Sequence, residues 1–458
     1  MKHSRSEIRC KAHSIGELRF ENQSLTSFAG LVLFQQFFAN LGLKSRLSQC
    51  FRQQKSGKVF ARSTIFLQLI VHILLGYREL RDCRYYRDDP LVKRVLGLER
   101  IPDVATISRM LKQADEKSAE NLRRLMREMI FERLIIMGLP RITLDFDGSV
   151  LSTNRLAEGT AVGFNKKKKG ARSYYPLFCT IAQTSQMLDF LHRPGNVHDS
   201  NGARVFILAC IQAVRDALPH AVIEIRMDSA FFSDEIMSAL DAWRVDFTVS
   251  VPFERFPELK QMIEARRRWH RLDGDVSYFE TSWKPKCWEE RFRFVFVRNR
   301  TKKQHKGPVQ LDLFIPYEYG YEFKVIVTNK TAKIKTVVAY HNGRGSQEGI
   351  FGDLKSQGQM GYIPVRSRVG NQIYLLAALF AHNLNHELQM ATSSPQRQTT
   401  QKRATLWIFE KMGTFRRTII QRAGQFTRPH GKLTLTMSGG EEIKKRVLQT
   451  LVKLRSAA

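Results

Sequence analysis

The stretch Ile142-Thr-Leu-Asp-Phe-Asp-Gly-Ser-Val-Leu151 marks the point where the chain changes from a helical pattern to a strand pattern. Apolar and polar residues alternate along it, which is the period of two expected of a half-buried strand. Asp145 and Asp147 therefore point to the same side, close to the end of this strand. Either carboxylate is a candidate functional group.

The same pattern continues downstream, with helical segments between the strands. We predict strands at Tyr175–Ala182, Met187–Pro194, Ala221–Asp228 and Val245–Pro252, and helices at Ser200–Leu218 and Ser233–Trp243. This order predicts a mixed α/β layer. Asp228 stands where its strand stops, and ligands of α/β layers bind at such strand ends.

The residues before this layer have a helical pattern. Apolar residues recur at helical spacing in Leu31–Leu41 and Ile65–Tyr77, and Pro102–Leu111 has the signs of a capped helix start. We therefore predict an all-helical N-terminal domain over residues 1–135 that binds DNA or assists multimerisation. The short third helix is typical of a helix-turn-helix reader, and equally of a plain packing helix.

The first part of the core is predicted to span residues 136–253, and a β-rich insertion follows over residues 254–335. The insertion contains strand patterns at Asp275–Trp283, Arg291–Arg298, Val309–Ile315 and Phe323–Asn329. We expect the core to resume over residues 336–390. The remaining region, 391–458, has 14 Lys and Arg against 3 Asp and Glu.

The segment Tyr340–Lys355 is predicted to be a helix entered through the Asn342-Gly343 turn. Positions four and seven apart share one helix face, so Arg344, Glu348 and Lys355 would lie in one row. A carboxylate between two cations is suited to hold a metal ion beside a phosphate chain.

The charge of the whole chain indicates a polyanionic partner. Its 458 residues contain 74 Lys and Arg against 43 Asp and Glu, a net charge of +31, while the 43% hydrophobic content is ordinary. Six scattered cysteines without a CxxC pair, and no apolar leader, favour a cytoplasmic, nucleoid-associated protein. We expect nucleic acid as the partner, and neither a membrane nor a small-molecule substrate.

Three acids from two strand ends and one helix would form an oxygen-rich pocket. Such hard ligands suit Mg²⁺, with Mn²⁺ as a substitute. Two ions about 3.5–4 Å apart activate a water or a 3′-hydroxyl and stabilise the leaving oxygen of a phosphodiester. Arg344 and Lys355 would hold the substrate phosphates beside them.

These motifs together resemble the DDE transposases of bacterial insertion sequences, in the branch whose name is numbered thirteen-eighty. The family's third-acid signature has the spacing of Arg344, Glu348 and Lys355, although Tyr340 stands one residue further from Arg344 than the signature asks. The segment Leu144–Ser149 resembles the family's first-acid motif and favours Asp147 over Asp145. Arg226–Phe232 is similar to the second-acid motif, and Arg193–Asp199 to a further family segment.

The resemblance implies an RNase H-like catalytic core interrupted by a β-rich insertion. It implies a magnesium-dependent endonuclease that cuts at terminal inverted repeats and transfers the strands to target DNA, acting as a homodimer or higher multimer on paired ends. Asp147, Asp228 and Glu348 would be the catalytic metal ligands, and Tyr340 would contact DNA. The alternatives are a domesticated or inactive DNA-binding relative, and a metal-dependent nuclease without strand transfer.

Two further places are candidate DNA contacts. Trp288 lies between basic residues in the insertion, where related transposases stack a flipped base on an aromatic ring, although a packed core position is more typical of a tryptophan. Lys167 and Lys168 lie in a basic loop, Asn165–Gly170, which would contact the phosphate backbone or form a solvated turn.

Overall fold

The computed structural model describes residues 15, 17–19, 21, 23–54, 59–154, 156–163, 165, 168–198, 201–300 and 320–456. Its α-helices are α1 (Val32–Asn40), α2 (Leu43–Cys50), α3 (Arg62–Leu75), α4 (Pro90–Leu96), α5 (Val104–Lys112), α6 (Glu116–Met137), α7 (Ala203–Ala217), α8 (Asp234–Ala242), α9 (Pro257–Ala265), α10 (Ile334–Asn342), α11 (Ser346–Ser356), α12 (Arg368–Thr392), α13 (Met412–Phe415) and α14 (Glu441–Ser456). Its strands are β1 (Leu25–Thr26), β2 (Arg141–Gly148), β3 (Leu151–Thr153), β4 (Ala161–Val162), β5 (Arg172–Tyr174), β6 (Leu177–Ile181), β7 (Gln186–Leu191), β8 (Val222–Met227), β9 (Asp246–Val251), β10 (His270–Asp273), β11 (Val276–Trp283), β12 (Phe292–Arg300), β13 (Tyr321–Thr328), β14 (Gly424–Thr427) and β15 (Thr434–Met437).

The N-terminal region is helical, as its apolar spacing predicts. Helices α1 to α6 occupy most of the described residues between 32 and 137. Helix α5 has the expected cap, because the Asp103 carboxylate accepts a hydrogen bond of 2.9 Å from the backbone N–H of Thr106. Its buried residues, Ile107, Met110 and Leu111, lie on one face. Whether the opposite face reads DNA stays a prediction.

A nine-stranded sheet forms the centre of the molecule, in the order β10-β11-β12-β13-β9-β8-β2-β6-β7. Strands β2, β8 and β9 run parallel, while β6 is antiparallel to β2 and β7 is antiparallel to β6. Helices α7 and α8 provide the crossovers between the parallel strands. The predicted mixed α/β layer is thus confirmed, with strand ends within a few residues of those expected.

The strands of the insertion continue this sheet. Strand β13 pairs antiparallel with β9, for example through Val327 and Val249, and β12, β11 and β10 follow outward. Pairing removes the exposed edge that β9 would otherwise present. The expected strands at 275–283, 291–298 and 323–329 are confirmed, and the one at 309–315 lies outside the described residues. Helix α9 and strand β10 were not expected.

The long helix α12 lies between the sheet and the N-terminal helices. Nearly all of its side chains are buried, and it packs against α3, α5, α6, β7 and α14. Some buried polar residues of this helix are hydrogen-bonded to its neighbours, as Asn383 is to the backbone of Met187 and Glu387 is to Arg133. Ion pairs tie the same layers together, since Asp189 on β7 accepts hydrogen bonds of 2.7 and 2.6 Å from Arg123 and Arg127 on α6.

The basic C-terminal region folds back onto the N-terminal helices. Strand β14 pairs with β1, and α14 packs against α1. The buried guanidinium of Arg416 donates hydrogen bonds of 2.8 and 3.0 Å to the carbonyl oxygens of Leu74 and Ile73 at the end of α3. This region is therefore part of the packed structure. No helix within the described ranges is long and apolar enough to cross a membrane.

Candidate active site

Two of the predicted acids lie at the carboxyl edge of neighbouring parallel strands. The last pair in the register of β2 and β8 is Asp145 with Arg226. Asp147 and Asp228 stand two residues beyond each partner, so the strand geometry carries both acids past the same edge. The Asp147 side chain is 20% exposed. The sequence placed both residues correctly.

The backbone around each of these acids is held by its own carboxylate. Asp147 accepts a hydrogen bond of 2.8 Å from the N–H of Gly148. Asp228 caps a short 3-10 turn, Ser229–Phe231, by accepting a hydrogen bond of 3.0 Å from the N–H of Ala230. This capping turns the chain sharply away from β8, and both carboxylates stay partly exposed at the edge of the sheet.

Glu348 lies in the first turn of α11, as expected, but the entry to that helix differs from the prediction. Asn342-Gly343 is not a turn. The backbone of Gly343 is right-handed helical (φ −60°, ψ −20°), and a 3-10 turn, Gly343–Gly345, joins α10 to α11. The expectation was wrong because a dipeptide preference for turns is weak against helical segments on both sides.

The helix that carries Glu348 is anchored directly to the strand that carries Asp147. The buried Gln347 side chain donates hydrogen bonds of 3.2 Å to the carbonyl oxygen of Asp145 and to the hydroxyl of Thr180. Its neighbour Glu348 is exposed. Gln347 therefore faces the sheet while Glu348 faces solvent beside the strand ends.

A second anchor holds α10 against β9. His341 forms hydrogen bonds of 3.0 Å with the Thr248 hydroxyl and 2.9 Å with the Ser250 hydroxyl. Burial lowers the pKa of His341 well below its usual value, and the cations of Lys324 and Arg344 lower it further. The imidazole is therefore neutral at pH 7, and its two hydrogen bonds connect α10 to β9.

The cations predicted on this helix lie in different settings. The Arg344 guanidinium is 3.5 Å from the Asp147 carboxylate, a contact that the sequence did not predict. Lys355 is exposed. Arg344 thus balances the charge of a predicted metal ligand, and the phosphate-binding roles of both residues stay predictions.

Asp145 is excluded as the ligand from β2. Its side chain is 1% exposed and forms a two-point ion pair with Arg226, at 2.6 and 2.7 Å. Burial opposes the charge of Arg226, but Asp145 more than offsets it, so the pKa of the arginine is raised. Asp147 is the remaining candidate on this strand.

The structure contradicts two expected DNA contacts. Tyr340 is 2% exposed, with its ring between the cations of Arg226 and Lys330, at 5.3 and 4.5 Å from the ring centroid. Trp288 is 6% exposed, and its ring centroid is 4.7 Å from that of Phe232. Both rings are core residues, so neither presents a face to DNA in this conformation.

The basic loop is partly described. Lys168 is exposed, and its backbone N–H donates a hydrogen bond of 3.0 Å to the buried Asn165 side chain. Lys167 lies outside the described residues. This bond holds the backbone of Lys168 beside Asn165, and a contact with phosphate stays a prediction.

The chain matches the sequence model of one family over almost its whole length. That family is described as Transposase DDE domain group 1, and the match spans residues 10–457. This chain is a member of the DDE transposase family.

The solved structures similar to this DDE transposase family member are also transposases. A piggyBac transposase synaptic complex with hairpin DNA has 12% identity and a TM-score of 0.44, covering 86% of this chain and 79% of that one. The Mos1 transposase paired-end complex with the left transposon end has 10% identity and a TM-score of 0.19, covering 43% and 61%. No curated protein matches the chain.

One basic residue near the candidate site of this family member was not predicted from the sequence. Lys324 on β13 donates a hydrogen bond of 3.1 Å to the Asn342 side chain and lines cavities of about 660 and 370 Å³. The smaller cavity is also lined by Ser229, next to Asp228. Burial, assisted by Arg344, lowers the pKa of Lys324 to about 8. A lysine directly before the apolar run Val325–Val327 of this strand was the available signal.

The three acids do not form a closed ligand set in this conformation. Across the part of the chain that the structure describes, no three His, Cys, Asp or Glu side chains lie close enough together to hold a metal ion. The donor chemistry nevertheless fits, since carboxylate oxygens at a partly exposed edge suit Mg²⁺. The members of the set lie on β2, at the end of β8 and on α11.

Proposed function

We propose that this protein is an active transposase that cuts DNA at the terminal inverted repeats of an insertion sequence and joins the ends to target DNA. The observation that carries the proposal is the common edge of β2 and β8, which presents Asp147 and Asp228 beside the helix of Glu348. Membership of the DDE transposase family supports the reaction class. The net charge of +31 supports DNA as the partner.

The strand order supports an RNase H-like core. Strands β7-β6-β2-β8-β9 combine an antiparallel meander with two added parallel strands. In this proposal, α10 and α11 bring the third acid to the carboxyl edge of these strands. We propose five segments: the helical region (1–135), the first part of the core (136–253), the insertion (254–335), the last part of the core (336–390) and the basic region (391–458). We also propose that the protein acts as a homodimer or higher multimer on paired ends, in the bacterial cytoplasm near the nucleoid.

Asp147, Asp228 and Glu348 would hold Mg²⁺, with Mn²⁺ as a substitute. The bound ions would activate the attacking water or 3′-hydroxyl and stabilise the leaving oxygen. Glu348 is exposed at the start of its helix, so it can join the set when DNA lies against the edge. Arg344, released from Asp147 by the metal charge, would then hold a phosphate together with Lys355.

Two alternatives share the same fold. A domesticated or inactive relative would bind DNA without cutting it, and a nuclease would cut without joining. The presence of all three acids at or beside one edge favours catalysis over binding alone. The basic surface, including Lys355 and Lys168, favours a protein that holds long DNA through both cutting and joining.

The test is a cleavage and joining assay with Mg²⁺, using a DNA fragment that contains this gene with its flanking repeats and a target plasmid. Asp228→Asn removes a proposed ligand and is compared with Glu235→Gln, a carboxylate that is 64% exposed on the next helix. We expect Asp228→Asn to bind the fragment but not to cut it, and Glu235→Gln to do both. Equal cleavage by both variants refutes the metal assignment, and cut but unjoined products identify a nuclease.

A further inference from the structure

The buried guanidinium of Arg226 connects three distant segments of the chain beneath the site. It donates hydrogen bonds of 2.6 and 2.7 Å to Asp145 on β2, of 3.0 Å to the carbonyl oxygen of Tyr340 on α10, and of 2.6 Å to the carbonyl oxygen of Lys402. Its exposure is 0%. All of its partners are therefore protein groups, and the three segments are held at fixed distances.

Both members of the Arg226–Asp145 ion pair lie two residues before a proposed ligand. Arg226 precedes Asp228 by two residues, and Asp145 precedes Asp147 by two, so side chains at the paired positions point to the same face of the sheet. The ion pair therefore sets the relative position of the two strands directly under the acids.

The same ion pair also sets the position of the helix that carries Glu348. Tyr340, which accepts from Arg226, and Gln347, which donates to the carbonyl oxygen of Asp145, are seven residues apart, about two helical turns. Both contacts lead to Asp145, one through its carboxylate and one through its backbone. The helical segment between them contains Arg344, and Glu348 follows at once.

The third segment is a strap formed by residues 396–406, which crosses the lower part of the sheet. The Arg403 guanidinium pairs with the buried Glu224 at 2.9 Å, and the Leu406 N–H donates to the Gln183 carbonyl oxygen at 2.9 Å. Gly343 allows the strap to approach, because a Cβ atom there would lie 2.0 Å from the Lys402 oxygen and 2.1 Å from the Arg226 guanidinium. The strap is thus the third segment that Arg226 holds, through the carbonyl oxygen of Lys402.

Stability alone is a weak reason for this arrangement. Buried ion pairs can often be replaced by apolar residues of similar volume without loss of stability, whereas removal of one partner is costly. An apolar pair could not make the two further hydrogen bonds that Arg226 donates to the backbone of α10 and of the strap. A role in fixing geometry accounts for those contacts.

We propose that Arg226 is a positioning residue that holds the acid-bearing strand ends and the Glu348 helix at the separation required for metal-dependent cleavage. This proposal rests on the function proposed above for the same site. The chain segment around Lys402 acts with it, although it lies more than fifty residues beyond Glu348. Arg226 touches neither DNA nor metal in this scheme.

The test compares two replaced ion pairs. Asp145→Leu with Arg226→Met removes both charges under the site. Arg133→Met with Glu387→Leu removes a partly buried pair between α6 and α12, in which the side chains are 16% and 10% exposed and lie 2.8 Å apart. Thermal melting reports the folding of both. We expect the first double variant to fold but to melt at a lower temperature, because the carbonyl oxygens of Tyr340 and Lys402 lose their donor. It should cleave DNA about 10–100-fold more slowly in kcat with an unchanged KM for DNA. The control pair should retain kcat.

A second readout does not depend on cleavage. Amide hydrogen exchange of residues 340–348 should become faster in the Asp145→Leu, Arg226→Met variant and stay unchanged in the control. If the wild type itself cuts no DNA, the proposed function fails, while the exchange rates still decide the positioning role. Wild-type exchange and wild-type kcat in the folded double variant overturn it.

Arg226→Lys covers the case in which the double variant does not fold. A lysine keeps the charge opposite Asp145, but a single ammonium group cannot reach Asp145, Tyr340 and Lys402 in the planar geometry of a guanidinium. We expect this variant to fold, with the same loss of kcat and the same faster exchange at residues 340–348. Wild-type values for both measurements would refute the positioning role.

Discussion

Gly343 offers the sharpest test of the packing around the site. A side chain added at this position is limited by neighbouring atoms and not by the backbone conformation. Its φ and ψ are helical, so alanine fits the backbone and would gain up to about 1 kcal/mol in helix propensity. However, the added Cβ would lie 2.0 Å from the Lys402 oxygen and 2.1 Å from Arg226, where ordinary contacts begin near 3.4 Å. Either both groups move by more than 1 Å, or the backbone at residue 343 moves away from them.

The expected cost of Gly343→Ala follows from these contacts. Overpacking in a dense core costs about 1–3 kcal/mol. Displacement of the strap also breaks the 2.6 Å hydrogen bond from Arg226 to Lys402, which adds about 1.5–3 kcal/mol for a charged donor. After the helix gain is subtracted, the free energy of unfolding should fall by about 1.5–5 kcal/mol. Urea denaturation followed by circular dichroism measures this change.

Gly345→Ala is the matched control. Gly345 lies two residues along the same helical turn with φ −56° and ψ −15°, and a Cβ atom there meets no atom within 4 Å. Its unfolding free energy should stay equal or rise by up to about 1 kcal/mol, because alanine restricts the unfolded chain. Equal stability of the two variants would show that the Arg226–Lys402 contact does not exist in solution.

Three further predictions concern charge and burial. Lys324→Gln should weaken DNA binding at pH 7 but not at pH 9. The amine has a pKa of about 8, so it is mostly charged at pH 7 and mostly neutral at pH 9. Fluorescence anisotropy at the two pH values measures the change in affinity, and equal weakening at both pH values contradicts the prediction. Lys355→Ala should reduce the slope of log affinity against log salt concentration by about 0.9, the value for one lost phosphate contact, whereas Lys355→Arg should keep it. Trp288→Ala should lower the free energy of unfolding by about 3–5 kcal/mol, as expected for a buried aromatic ring, and a variant of unchanged stability with impaired DNA cleavage would restore the base-stacking role.

The strand ends were predictable because the information that sets them is local. Alternating apolar residues end at Asp147 and Asp228, and both acids lie where that pattern placed them. Parallel pairing of β2 and β8 then brings the two acids to one edge without any further specification. The helical N-terminal region was predictable for the same reason, since apolar spacing and the Asp103 cap are properties of short segments.

The features that were missed depend on contacts between distant residues. Asn342-Gly343 has the local signal of a turn, yet the glycine is accommodated in a helix against Lys402, almost sixty residues further on. Trp288 lies among basic residues in the sequence, and its burial comes from Phe232. The pairing of β13 with β9 joins segments that no period or spacing relates. Asp145 and Asp147 also look equivalent until Arg226 is seen to occupy the first of them.

The strap at residues 396–406 has a consequence for the time during synthesis at which the proposed cutting activity arises. During synthesis at about 5–20 residues per second, Lys402 emerges roughly 3–11 s after Glu348. All three acids therefore exist on the nascent chain before the segment that braces them, so the proposed cutting activity would begin only after Lys402 has been synthesised. A copy of the gene interrupted between codons 349 and 401 would likewise encode every acid and yet leave Arg226 without its partner Lys402.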